Sequence, residues 1–526
     1  MTLAWALVPA LALLCATPAF PAGPGHVEPI LDYIRRTWST LTRTNRTLAT
    51  SAVDPKFHPE PDGRWPVYIS ATEDRPKVEA QLHRDMKPGD LRLIDLRALP
   101  VSGEPAAPGL LYLPQPYVVP GGRFNEMYGW DSYFILRGLL RDGMVREAQG
   151  MADDFLYEVR NYGKVLNANR SYYLTRSQPP FLTAMVQLVY RRTHDRQWIE
   201  NALPAIETYY RYWTFEPHLT PATGLSRYYD LGEGPAPEVI ASERDPGGRT
   251  HYERVREYFR SHHSDGIDKY YDARGDQLTP LFYKADRAMR ESGFDPSGRF
   301  GPFSIDIVDY NPVCLNSLLY LMELQTAELM RDIPARAHEA AEWDKRAHER
   351  AALINRLMWN DRDGLYEDYD FVHRRTRYYP FLTTFYPLWA GIATAAQAKR
   401  VVENLPLFER AGGLQTSTAD SGDQWDAPFG WAPLELIAVE GLRKYGYEQD
   451  ANRISEKFLS MVAGQYRKEG TILEKYDVVR RTSELNREIR FGYRTNEAGF
   501  GWTNAVFTNL LDALPPAQRA AILAAK

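Results

Sequence analysis

The chain has 526 residues, 44% of them hydrophobic and 25% charged, with a formal net charge of −5 at pH 7. That is the make-up of an ordinary globular protein, and the slight acidic excess excludes the basic clustering of a nucleic-acid or anionic-membrane binder. Aromatic content stands out, with 33 Tyr, 21 Phe and 12 Trp, enough to fill a core and also to line flat walls for a ligand.

Residues 1–22, MTLAWALVPALALLCATPAFPA, form an apolar run of signal-peptide length. The run ends in small residues and proline and is too short for a membrane span, although no Lys or Arg opens it. Cys15 follows a leucine rather than a small residue, which argues against lipoprotein processing. Cleavage would leave Cys314 as the sole cysteine, excluding an intramolecular disulfide and a cysteine-based zinc site. The expectation is an exported protein, periplasmic or secreted. It would be a monomer that binds neither nucleic acid nor, after signal cleavage, a membrane.

From His26 to about Ala49 the spacing predicts a short amphipathic helix. Residues 50 to 120 are rich in Pro, Gly and charge, with apolar runs too short for long helices, and are expected to wrap the surface of the main unit. The division expected is a signal segment (1–22), an N-terminal wrapping segment (23–115) and one helical catalytic unit (116–526). Beyond residue 120 a Gly/Pro/aromatic loop repeatedly leads into an amphipathic helix. Segments 182–195, 315–332, 336–359, 433–446, 451–470 and 503–514 carry apolar residues at steps of three and four. Paired helices with short connections and little strand-like alternation predict an all-α fold, a toroid of helix pairs. Residues 226–289, rich in Asp, Arg and Tyr, interrupt the rhythm as a long insertion over one rim, the kind of segment that often lids a binding site.

Five loops that enter helices carry clustered polar and aromatic residues: GGRFNEMYGWDSY (121–133), NANRSYYLTRSQPPF (167–181), MRESGFDPSGRF (289–300), GDQWDAPFGWAP (422–433) and NEAGFGWTN (496–504). In a toroid of antiparallel helix pairs, loops that all precede inner helices gather at one rim around a single pocket. One such Trp or Tyr alone is more often core, but the shared placement is hard to explain by packing. Gly121-Gly122 allows a turn that residues with a Cβ would obstruct, and Trp130 and Asp131 stand at the mouth of the helix behind it.

Two acids are candidates for chemistry. Asp295, in a Gly/Pro-bracketed turn between Phe294 and Phe300, would be partly desolvated, and burial favours the protonated form that a general acid needs. The alternative for Asp295 is a helix or turn cap. Glu474 lies in the short extended run TILEKYDVV, where the alternative is an exposed pair with Lys475. Together the two could flank a glycosidic bond, as the paired carboxyls of glycosidases do. Arg123, Asp131, Asn167, Arg176 and Gln178 supply the hydrogen-bonding forks a polyhydroxylated ligand requires, and such a site rejects analogues lacking a hydroxyl. Ordinary ion pairing is the alternative for the arginines. Walker, HExxH and dinucleotide fingerprints are absent, and no His pair has metal-ligand spacing.

Taken together, PGGRFNEMYGWDSYF (120–134) and QWDAPFGWAP (424–433), with NANRSYYLTRSQPPF, ESGFD, EKYD and GFGWTN in order, closely resemble the trehalases of glycoside hydrolase family 37, over residues 115 to 510. The resemblance implies an (α/α)6 toroid that hydrolyses α,α-trehalose to two glucose molecules with inversion, without cofactor or metal. The family's general acid falls on Asp295 and its general base on Glu474. Its substrate-binding positions fall on Arg123, Trp130, Asp131, Asn167, Arg176, Ser177, Gln178, Glu238 and Gly293.

Two departures stand out. Where many bacterial members carry Arg-Pro-Glu, this chain reads Ala236-Pro237-Glu238. The fungal neutral trehalases, which RSYYLTRSQPPFLT and RESGFD also resemble, likewise lack that arginine. Bacterial periplasmic members have a poly-glycine lid leading into Glu-Tyr, whereas residues 478–495 read VVRRTSELNREIRFGYRT, leaving Glu488 and Glu497 as candidates for the lid glutamate. A hydrolase of another α-glucoside and an inactive sugar-binding protein are the alternatives. Retention of both carboxylates argues against the second.

Overall fold

The computed structural model describes residues 28–524, apart from 102, 104, 243, 246, 263–265, 486–488, 490–491 and 494. The expected signal segment and Glu488 therefore lie outside the described residues.

The body is built from helices α1 (Ile30–Leu41), α2 (Asp131–Arg141), α3 (Val145–Tyr162), α4 (Leu182–Thr193), α5 (Arg196–Thr214) and α6 (Val313–Arg331). It continues with α7 (Ala340–Leu357), α8 (Tyr386–Ala390), α9 (Ala395–Glu403), α10 (Ala432–Lys444), α11 (Glu448–Glu469) and α12 (Gly501–Asp512). Helices α2, α4, α6, α8, α10 and α12 pack each on the next, and α12 closes the ring on α2. Their sequences explain the position: α10 and α12 are apolar on almost every face and almost wholly buried, as expected of helices surrounded by protein. Outer helices are amphipathic. Helix α1 buries Ile30, Tyr33, Ile34, Trp38 and Leu41, at steps of three and four, against α12, and burying each such side chain contributes about 1.5–3 kcal/mol. Helix α3 covers α2 and α4, α5 covers α4 and α6, and α11 covers α10 and α12. The all-α (α/α)6 toroid expected from periodicity and resemblance is the fold observed.

One region differs from expectation. Residues 50 to 120 do more than wrap the surface. They hold a parallel sheet with β1 (Trp65–Ile69) between β2 (Ile94–Ala98) and β3 (Leu110–Leu111), with the helix Arg75–Asp85 in the crossover that parallel pairing requires. Leu48, Ala52, Val67, Ile69, Val78, Leu82, Ile94 and Leu110 form a separate apolar cluster there. Arg170 anchors this layer: fully buried, it donates to Glu126 Oε1 at 2.7 Å and to the carbonyls of Ser51, Ala52 and Val53 at 2.9–3.0 Å. Among its described residues the insertion 226–289 holds the helices Pro237–Ser242, His251–Ser261 and Pro280–Glu291. A short antiparallel pair, β4 (Phe429–Trp431) with β5 (Lys475–Asp477), sets Trp431 opposite Lys475 and brings Glu474 to the end of α10.

Candidate active site

All five aromatic loops precede inner helices, and all five line one cavity of about 580 Å³. Arg123, Trp130 and Asp131 come from the first, Asn167, Arg176 and Gln178 from the second, Gly293 and Asp295 from the third, Trp425 from the fourth and Trp502 from the fifth. Glu238 and Glu474 complete the set of expected residues on its wall.

The backbone knits the loops before any side chain reaches inward. Gly129 N–H donates to Asn167 O at 3.1 Å, Asn167 N–H to Arg176 O at 2.9 Å, and Trp130 N–H to Gln178 Oε1 at 2.9 Å. Gly121 lies where a Cβ would come within 2.9 Å of the Phe500 ring, so the first and fifth loops close on each other only with glycine there. Gly293 has φ +77°, and a Cβ on it would meet the Trp130 indole at 3.1 Å. Glycine suits that left-handed conformation, and its role is to seat the Asp295 turn on Trp130.

Trp130 is one ring of a cluster with Phe294, Trp425 and Trp502, whose centroids lie 5.4–5.7 Å from it, while Trp425 stacks on Trp431 at 3.9 Å. Of these rings Trp130, Trp425 and Trp502 line the cavity and give it a flat apolar surface of the kind against which a sugar ring can lie. Against it stand the polar groups. Arg176 is buried, paired with Glu238 and 3.8 Å from Asp230. Arg123 pairs with Glu497 at 2.7 Å, lies 4.4 Å from the Phe124 ring centroid and keeps 45% of its side chain exposed. Both arginines thus make ion pairs and also line the cavity. Ser177 does not: its hydroxyl donates to Val165 O at 2.6 Å and bonds Tyr209 at 2.8 Å, within the core.

The carboxyls differ in setting. Glu474 is buried, and burial raises its pKa, opposed by the charge of Lys475, a hydrogen bond from Tyr493 and the charge of Arg123. Tyr493 donates to Glu474 Oε1. Glu474 Oε2 is buried and makes no hydrogen bond among the described residues. The alternative of an exposed Glu474–Lys475 pair does not hold, since both side chains are buried and Lys475 bonds elsewhere. Asp295 lies 3.8 Å from Arg290 Nη1 and keeps 35% of its side chain exposed, so its turn is less desolvated than its flanking phenylalanines suggested. Asp131 is buried. Burial, with the charges of Glu474 and Asp295 added, raises its pKa well above the usual carboxylate range, favouring a neutral carboxyl that can donate a hydrogen bond.

Ala236 is buried, and its N–H donates to the Tyr252 hydroxyl at 2.9 Å. Lining residues that the sequence did not single out are Lys56 from the N-terminal layer, Arg244, Asp245 and Arg254 from the insertion, and Arg290 beside Asp295. Arg290, three residues before Gly293, was legible as part of MRESGFD. The others come close only through the tertiary path. Among the described residues no group of three or more His, Cys, Asp or Glu is arranged to hold a metal ion, and no helix is long and apolar enough to cross a membrane.

The sequence that builds this cavity inside an (α/α)6 toroid matches a family model. The model for trehalase covers residues 48–515. The chain belongs to the trehalase family. It is 36% identical to the cytosolic neutral trehalase of Neurospora crassa over 495 residues, which is 85% of this chain and 64% of that protein. The Saccharomyces cerevisiae cytosolic neutral trehalase is 38% identical over 74% of this chain and 56% of its own length. The chain thus spans less than two thirds of either relative. The structure of neutral trehalase Nth1 from Saccharomyces cerevisiae superposes with a TM-score of 0.79 at 33% identity, over 94% of this chain and 96% of that one. A GH63 mannosylglycerate hydrolase from Thermus thermophilus shares the fold, with a TM-score of 0.52 at 18% identity over 75% of this chain and 95% of that one.

The relatives' names overturn the expectation of a periplasmic or secreted protein: they are cytosolic trehalases, which points to the cell interior.

Proposed function

We propose that the protein hydrolyses α,α-trehalose to two glucose molecules with inversion, with Asp295 as general acid and Glu474 as general base. The observation that carries this reading is Glu474 Oε2, a buried carboxylate oxygen without a hydrogen bond among the described residues, on the wall of the cavity that Asp295 also lines. That oxygen has no hydrogen bond among those residues to give up when it takes a proton. Glu474 takes a proton from the water as its oxygen bonds to the anomeric carbon. The bond from that carbon to the bridging oxygen breaks, and Asp295 gives its proton to the leaving oxygen. One water is consumed, two glucoses form, and Asp295 and Glu474 exchange protons with solvent to reset. Inverting enzymes keep such carboxyls about 6.5–9.5 Å apart so that the water fits.

Arg123, Asn167, Arg176, Gln178 and Glu238 bind the hydroxyls, Asp131 donates from its neutral form, and Trp130, seated on Gly293, presents a ring face. Ser177 acts one step removed, fixing the loop that carries Arg176 and Gln178.

Incubation of the purified protein with trehalose, followed by glucose release, tests the assignment. Asp295→Asn and Glu474→Gln are each expected to lose at least about 10²-fold in kcat, the contribution of one acid or base, while still binding sugar. Near-wild-type turnover by either variant removes that residue from its role. Release of glucose from another α-glucoside but none from trehalose would move the substrate.

A further inference from the structure

The lysine next to Glu474 is placed oddly for a charged group. Lys475 is completely buried, and burying a charge is unfavourable unless its hydrogen bonds are met. Its ammonium donates to Gln424 Oε1 at 3.0 Å and to the Tyr493 carbonyl at 3.2 Å, and lies 3.8 Å from the centroid of the Tyr493 ring. A lysine has donors only, so it fixes which way the Gln424 amide faces. With Oε1 held by Lys475, the amide nitrogen points the other way, where it donates to the backbone carbonyl of Asp295. Tyr493 in turn gives its hydroxyl to Glu474. Gly492, at φ +108°, has no Cβ where one would come within 2.8 Å of the Gln424 side chain, so the Tyr493 loop can close on the amide. An unbroken chain of contacts runs from the Asp295 backbone through Gln424, Lys475 and Tyr493 to the Glu474 carboxylate.

We infer that Lys475 and Gln424 are a positioning pair that sets the general acid and the general base at a fixed separation, and that Lys475 also places a buried positive charge next to Glu474 in the chain. The inference rests on the acid–base assignment above. Gln424 works by geometry alone, through the Asp295 carbonyl, and Lys475 by geometry and charge. Other ionisable groups also face Lys475: Glu474 on its own strand, Tyr493 and Glu497 from the loop that follows, Arg123 from the Gly-Gly loop and Asp295 from the third loop. Burial lowers the lysine to about 8, against the pull of Glu474, so it is charged wherever the base is at work below that pH.

The test compares Lys475→Met and Gln424→Met, with Asp295→Asn and Glu474→Gln as controls. It reads kcat, KM, the pH profile of kcat/KM on trehalose, and the affinity for a sulfur-linked trehalose analogue that resists hydrolysis. Misplacing reacting groups by about 1 Å costs about 10²-fold, so both methionine variants are expected to lose roughly that in kcat, with analogue affinity changed less than about threefold. Only Lys475→Met should move the acid limb, upward by about one unit, as expected when an opposite charge beside a carboxylate is removed. A packing role would lower stability and analogue affinity together and leave that limb in place, which overturns the inference. So does near-wild-type kcat in both variants. If Lys475→Met fails to fold, Gln424→Met decides: a kcat loss with retained analogue affinity supports the pair, and full activity refutes it. Active Asp295→Asn or Glu474→Gln controls would instead refute the acid–base assignment, taking the inference with it for a different reason.

Discussion

Replacing Tyr493 by Phe removes one oxygen and leaves the ring under Lys475 in place. The lost hydroxyl is the donor to Glu474 Oε1, and Oε2 has no hydrogen bond among the described residues to compensate. Burial raises the Glu474 pKa, while Lys475, Tyr493 and Arg123 pull it down. Deleting the Tyr493 contribution must therefore raise it further. A hydrogen bond to a charged group contributes about 1.5–3 kcal/mol, and each pKa unit corresponds to about 1.4 kcal/mol. The acid limb of kcat/KM, which reports the base in the free enzyme, should move up by about 1–2 units. Below that limb the variant would be about 10–100-fold slower than wild type, with most of the difference gone above it. The assay is glucose release from trehalose across the pH range, at substrate well below KM. A limb that stays in place, or one that moves down, would refute the role of Glu474 as the base held by Tyr493.

Two further outcomes follow from the same geometry. Arg170→Met leaves the buried Glu126 without its main cation, a change that costs about 3–5 kcal/mol, read as a fall in the urea midpoint at pH 7. Burial pushes the Glu126 carboxyl up, but Arg170 and Lys56 outweigh it and hold it at about 2 against an ordinary 4.5. That stabilisation is present above about pH 4.5 and lost as pH falls toward 2. The gap between wild type and variant should therefore narrow in acid, and a gap that widens there would contradict the pairing. Gly293→Ala forces a Cβ into a left-handed turn against the Trp130 indole, a strain of about 1–3 kcal/mol. Because Asp295 sits two residues on, kcat should fall by more than the loss in thermal stability alone explains, and unchanged kcat would separate the turn from the chemistry.

What was legible in the sequence had a local cause. The outer helices carry a three-and-four periodicity and inner ones such as α10 and α12 nearly continuous apolar runs, and the cavity loops are contiguous runs of Gly, Arg, Asp and Trp, so Arg123, Asp131, Asn167, Arg176 and Asp295 could be named from their neighbours. Sheet β1–β3 was not legible, because its strands are short and β1 is buried on nearly its whole length, leaving no alternation to see. Ser177 sat inside a recognisable motif, but motif membership does not say which way a hydroxyl points. Lys56 reaches the cavity from the N-terminal layer, a distant stretch whose local sequence has no loop-to-helix signature, while Arg254 and Tyr493 lie in segments legible as lids but not as individual lining residues. An exposed pair of Lys475 with Glu474 is the alternative the sequence offers, because neighbouring opposite charges usually mean a surface pair. Only the tertiary fold, which sets Trp431 and Gln424 against it, reveals the burial.

The most direct test of the account is proton NMR of the first glucose formed from α,α-trehalose, observed before mutarotation mixes the anomers. Attack by a water that Glu474 deprotonates, on the face opposite the bond that Asp295 protonates, must yield one β-glucose and one α-glucose per turnover. Equal early signals of the two anomers are predicted. Early α-glucose alone would mean retention at the anomeric carbon and would contradict the roles assigned to both acids.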